Sequence, residues 1–222
     1  MMLPMLFLAA LSAGVLEDAR DRQDSAALST QLTKLTAAAN QPGSPAKAHY
    51  DLAIARSFEA EIAMEKGDKR ASAAAAEAGI EPARKAIAAQ ANNSEYHRIL
   101  GTLCGQIIPA NVLAGLKYGR CAMDEVAKAI ELNPKSAENW LSRGVGNYYL
   151  PSSFGGGIDK AIADLDKALE LNPKLADAHL WRGIALRKAG KNAEARKALS
   201  KALELNPKRL WAKTQLEKTP AQ

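Results

Sequence analysis

The chain has 222 residues, 47% of them hydrophobic but only 5% aromatic, and its 30 Lys and Arg against 24 Asp and Glu give a formal net charge of +6. That length can bury a core as one folded unit or a short repeat array. The positive excess does not mark a nucleic-acid binder, because acidic and basic residues are interspersed along stretches such as "IDKAIADLDKALELNPK", the pattern of a solvated helix face, and the sequence has neither a long basic run nor basic residues interleaved with aromatic ones. Alanine-rich stretches such as "ASAAAAEAG" and "RKAIAAQA", with little alternation of β-branched residues, predict an all-α protein.

In chain order, residues 1–14 read as a signal peptide. An apolar run from Leu3 to Leu11 is followed by the small residues Ser12, Ala13 and Gly14 and by charge from Glu17, although no Lys or Arg precedes the run. This predicts an exported, periplasmic protein, or a cytoplasmic one if the first segment is instead a buried helix. The run is far shorter than the roughly 20 residues that cross a bilayer, so an integral membrane protein is not expected. Residues 15–45 hold one amphipathic helix over 18–39 and the linker "NQPGSP", and residues 46–93 a degenerate helix pair. Cys104 and Cys121 are too few for a disulfide framework and are not spaced as metal ligands; they form one bridge or are two small buried hydrophobes.

The organising feature is "ELNP", which ends at Pro134, Pro173 and Pro207, at intervals of 39 and 34 residues. The last interval encloses "ADAHLWRGIALRKAGKNAEARKALSKALELNP", with Gly183, Ala195, Leu199, Ala202 and Pro207 at the spacing of the tetratricopeptide repeat, a family this segment resembles closely. Each residue has a physical reason. Gly183 and Ala195 are small where two antiparallel helices approach, Ala202 makes room for the next helix, and Pro207 stops the second helix. Gly190 supplies a left-handed stop, and Asn192 is placed to cap the helix that follows. The unit over 136–174 matches through Trp140, Gly144, Ala161, Leu165, Ala168 and Pro173. The unit over 94–135 matches through Gly101, Ala122, Val126 and Ala129, with an enlarged internal turn. Residues 175–208 form the last unit and 209–222 a capping helix and tail. The resemblance implies an α-solenoid of antiparallel helix pairs.

In the unit over 136–174, Gly144 and Ala161 are 17 residues apart where Gly183 and Ala195 are 12 apart, so "LPSSFGGG" carries a five-residue insertion. Its glycines precede a helix that Asp159 is expected to cap. Gly155, Gly156 and Gly157 thus have two readings: an anion-binding nest on a binding rim, or a clasp in which Pro151 stops the first helix, Phe154 tucks back onto the pair and the glycines make a sharp return. The clasp is favoured, since the glycines lack the spacing of a phosphate loop. The loop also resembles a subgroup of the family that includes exported bacterial proteins associated with tripartite substrate-binding transporters and regulator-of-microtubule-dynamics proteins.

Nothing here has the arrangement of an enzyme. His97 and His179 match Trp140 in register and are expected to pack, His49 has no ligand neighbour at metal spacing, and Asp164 and Asp166 are two apart on a helix and point apart. No nucleophile elbow, metalloprotease motif or Cys-x-x-Cys pair is present, and neither metal nor cofactor is expected. The family resemblance implies a groove lined by the first helix of each pair. Here that places Glu138, Leu141, Ser142, Val145, Tyr148, Asp177, Leu180, Trp181, Ile184 and Arg187 on an apolar surface with aromatic edges. The expected partner is a protein or peptide segment, with no nucleic acid. The alternative is a transport accessory that handles a small hydrophobic ligand.

Overall fold

Three times the chain reads Asn-Pro-Lys, and three times the same turn results. Asn133, Asn172 and Asn206 each accept, through the side-chain oxygen, the backbone N–H of Lys135, Lys174 or Lys208 at 3.1–3.2 Å. Proline denies the helix its next donor, and the asparagine turns the chain back. The first two turns are locked from the following helix: Trp140 Nε1 donates to the Pro134 carbonyl at 2.8 Å and His179 Nε2 to that of Pro173 at 2.9 Å. Upstream, where no proline stands, Asn93 makes the same turn by accepting from Glu95 N–H at 3.1 Å.

These stops divide a chain that is helical and strand-free among the residues described by this computed structural model, 14–110 and 112–221. The helices are α1 (14–21), α2 (Ser25–Ala39), α3 (Ala46–Glu65), α4 (Lys69–Ala89), α5 (Ser94–Ile107), α6 (Val112–Leu132), α7 (Ala137–Tyr149), α8 (Ile158–Leu171), α9 (Ala176–Lys188), α10 (Asn192–Leu205) and α11 (Leu210–Glu217). The expected signal segment falls outside the described residues except for its last position, Gly14. None of the described helices is long and apolar enough to cross a membrane.

The chain forms two units, one of residues 1–92 with 103–119 and one of 93–102 with 120–222. In the first unit, α1, α2 and α3 share a core of Leu16, Leu28, Leu32, Leu52, Ala55 and Ile62, with Phe58 packed against it. The single helix expected over 18–39 is broken. Gln23 takes a positive φ of 53°, and Asp24 restarts the helix by accepting the N–H groups of Ala26 and Ala27. The break is tied to the end of α3, where Gln23 Nε2 donates to Glu65 at 2.7 Å and Lys66 Nζ to the Gln23 carbonyl at 3.2 Å.

The second unit stacks helix pairs as a solenoid, and in each pair a glycine of the first helix lies against the second. A Cβ added to Gly101 would lie 2.7 Å from Val126 Cγ2 and 3.2 Å from the Ala122 carbonyl. At Gly144 the same atoms would be Leu165 Cγ at 2.8 Å and the Ala161 carbonyl at 3.2 Å; at Gly183, Leu199 Cγ at 2.5 Å and the Ala195 carbonyl at 3.0 Å. The register expected from the sequence is therefore met residue for residue. Asp164 and Asp166 do point apart: Asp164 is buried and held by Arg143 at 2.6 and 2.9 Å and by Asn147 at 2.8 Å, whereas Asp166 faces Arg182 of α9 at 2.5 Å. Cys104 and Cys121 are both disulfide-bonded.

Gly183→Ala should lower unfolding stability by about 1–3 kcal/mol, because the new methyl has no room at the helix crossing. Gly146, exposed on α7 with nothing within 4 Å of an added Cβ, gives the opposite expectation. Gly146→Ala should gain about 0.5–1 kcal/mol from helix propensity. Urea denaturation of the pair checks both signs, and equal effects would refute the crossing.

Candidate functional site

Four aromatic rings of the second unit meet along a diagonal across three alternate helices, α7, α9 and α11. Tyr148 and Tyr149 come from the end of α7, Trp181 from the middle of α9 and Trp211 from the start of α11. Ring centroids are 5.0 Å apart for Tyr148–Tyr149, 5.8 Å for Tyr148–Trp181, 6.0 Å for Tyr149–Trp181 and 5.2 Å for Trp181–Trp211, all edge to face. This is the arrangement that ring quadrupoles prefer. Tyr148, Trp181 and Trp211 back onto the buried cluster of Leu180, Ile184, Leu199, Ala202 and Ala212, whereas Tyr149 is 47% exposed. Lys188 Nζ lies 4.4 Å over the Tyr148 ring. Burial raises the Tyr148 phenol pKa, against an opposing pull from Arg187.

The groove residues expected from the sequence separate into three groups. Leu141, Val145, Tyr148 and Trp181 are partly exposed and sit on or beside the aromatic row. Leu180 and Ile184 are corrected to core, 0% and 3% exposed, because α11 packs over this end of the unit and Ala212 closes the cluster around them. Arg187 is corrected to a structural tie. One guanidinium nitrogen donates to the Gln215 carbonyl at 3.0 Å and the other to the Gln215 side chain at 2.6 Å, both on α11. Asp177 likewise faces Arg209, which is only 1% exposed. Tyr149 and Trp211 are the ledge residues that sequence reasoning missed.

The loop between α7 and α8 uses all of its glycines structurally. Gly155 has φ +88° and Gly157 φ +113°, both left-handed, while an added Cβ on Gly156 would strike the Leu150 carbonyl. Their N–H groups are spent internally, Gly155 on the Ser152 carbonyl at 3.0 Å, Gly156 on Pro151 at 3.2 Å and Gly157 on Asn147 at 3.0 Å. No anion-binding nest is left open. The expected anchor is also corrected: Phe154 does not tuck back but stands 74% exposed, because the short 3₁₀ turn Ser152–Phe154 carries its side chain outward. The clasp is made of backbone. Both capping expectations are corrected: Gly157, not Asp159, is the cap of α8, with Asp159 in its first turn, and Lys191, not Asn192, precedes α10, with Asn192 as its first residue.

Antiparallel helix pairs that repeat a glycine crossing and end on a proline stop define a helical-repeat protein. Residues 155–209 match the family model of the tetratricopeptide repeat. No curated protein sequence matches the chain. Among solved structures it is similar to a thermophilic tetratricopeptide-repeat protein of Thermus thermophilus, with 20% identity over 93% of this chain and 97% of that one and a TM-score of 0.65. It is also similar to the HusA haemophore of Porphyromonas gingivalis, with 18% identity over 92% and 94% and a TM-score of 0.62. At these identities the likeness is one of fold.

Phe154→Ala should leave stability within about 0.5 kcal/mol, as at an exposed surface position. Gly156→Ala should cost about 1–3 kcal/mol by forcing the loop off the Leu150 carbonyl. Thermal denaturation separates the two, and a large loss at Phe154 would restore the tucked-in ring. For Tyr148, the folded state holds the phenol proton more tightly than the unfolded state. Stability is then full below the ordinary tyrosine value of about 10 and falls as pH rises beyond it. Tyr148→Phe should flatten that alkaline decline in denaturation midpoints.

Proposed function

We propose that this chain is a non-enzymatic interaction scaffold that binds an extended or helical peptide segment on the ledge formed by Tyr148, Tyr149, Trp181 and Trp211, with Leu141 and Val145 beside it. The tetratricopeptide fold supports the general reading, since it is an interaction fold. The observation that carries the specific one is the row of mutually packed rings that remain partly exposed. Tyrosine and tryptophan dominate contact energetics because each offers a large rigid surface at little entropy cost. A ledge already packed from below has little ordering left to lose when a partner arrives.

Peptides selected from a random library on the wild-type protein should bind Tyr149→Ala about tenfold more weakly, compared per folded molecule. Equal binding by the variant would place the contact elsewhere.

Export is part of the same proposal. An apolar N-terminal run followed by small residues, together with a disulfide-bonded cysteine pair, fits a chain matured in an oxidising compartment. Leu16 is already a core side chain, so mature protein should begin between Ala13 and Leu16. N-terminal sequencing of protein from its native host that recovered Met1 would refute export.

A further inference from the structure

The charge of the chain is not evenly spread. Residues 174–222 contain 12 of the 30 Lys and Arg but only 4 of the 24 Asp and Glu, a net +8, so the preceding 173 residues carry a slight negative excess. Several of these cations are held in place: Arg182 on Asp166, Arg187 on Gln215, Arg196 on the Leu216 and Thr219 carbonyls, and Lys201 on Glu204. Two others are exposed and in phase with the aromatic ledge. Lys188 lies seven residues after Trp181 on α9, and Lys218 seven after Trp211 at the end of α11. Seven residues are close to two helical turns, so each lysine shares the face of its tryptophan about 10 Å further along. Lys188 is anchored there by its contact with the Tyr148 ring. Asp177, the acidic residue of α9, is turned toward Arg209.

From this juxtaposition we propose that the partner of the ledge is an acidic amphipathic peptide segment, whose apolar residues cover Tyr149, Trp181 and Trp211 while its carboxylates face Lys188 and Lys218. The inference rests on the ledge reading above and adds the partner's charge. A peptide is favoured over nucleic acid by the packing of the rings. They meet edge to face and back onto the core, a continuous apolar shelf for side chains, whereas bases need separated ring faces on which to stack. Cationic groups at the rim would draw acidic segments in and reject basic ones.

The test uses three synthetic amphipathic peptides with identical Leu and Phe positions and either Glu, Gln or Lys at every polar position. Binding to the full chain is followed by fluorescence anisotropy. The Glu peptide should bind about tenfold more tightly than the Gln peptide, lose that advantage in high salt, and lose it in Lys188→Glu/Lys218→Glu. The Lys peptide should bind weakest to wild type and gain affinity in the double variant. Equal binding of Glu and Gln peptides would overturn the charge assignment while leaving the ledge intact. Equal binding of all three to Tyr149→Ala and wild type, or no binding by any, would overturn the ledge and the inference with it. Displacement of the Glu peptide by single-stranded DNA or by phosphatidylglycerol vesicles at lower concentration than unlabelled Glu peptide would also overturn it, by assigning the surface to another polyanion.

Discussion

A glycine pressed against a branched side chain sets the distance between helices in every pair of the second unit. Because Gly101, Gly144 and Gly183 present no Cβ, Val126, Leu165 and Leu199 sit directly on the backbone of the facing helix. Their neighbours Ala161, Ala168, Ala195 and Ala202 are sealed to 1% exposure or less. Close packing at native density leaves no slack at such crossings, so the orientation of each first helix is fixed by its own pair. The helices so oriented bring Tyr148, Tyr149 and Trp181 together, and α11 adds Trp211 to the row.

The helix α11 determines which side chains of its neighbours stay exposed. An array that ends on an apolar face must cover it. Here α11 does so with Ala212 and Leu216 against Leu180, Ile184 and Leu199. The cover is pinned by charge: Arg209 is buried opposite Asp177, and Arg187 and Arg196 reach onto Gln215, Leu216 and Thr219. A guanidinium with its donors committed in this way would have to give up internal hydrogen bonds to receive a ligand, at the desolvation cost of the groups it left. The strongest cationic donors on the ledge side are therefore structural. Lys188 and Lys218 are exposed instead.

What was legible in the sequence follows the range of the interaction that enforces it. The proline stops, the glycine crossings and the 17-residue spacing of the inserted loop are each dictated by backbone geometry within one helix pair, and the quoted residues carry them openly. The break at Gln23 was hidden because the apolar period runs through it, although Asp24 followed by a fresh alanine-rich run was a readable cap signal. The Asn93 turn was hidden because it lacks proline. Leu180, Ile184 and Arg187 were misplaced for a longer-range reason: in isolation the last repeat leaves them facing outward, and only α11 decides that they are covered or tied. Trp211 was read as part of a solvating cap because no repeat pattern reaches it.

The glycine loop shows how a single stretch can hold two different kinds of residue. Two left-handed backbones, one position where no side chain fits and three internal N–H bonds leave Gly155, Gly156 and Gly157 no freedom to be anything else. Lys160 closes the ring of contacts by donating to the Gly155 carbonyl at 2.7 Å. All of this is satisfied without Phe154, whose ring contributes no burial to the turn it crowns. A residue selected for packing would be found inside the pair, as Leu165 is. The constraint on the glycines is therefore internal to the fold, and nothing in the packing of the pair requires a phenylalanine at 154.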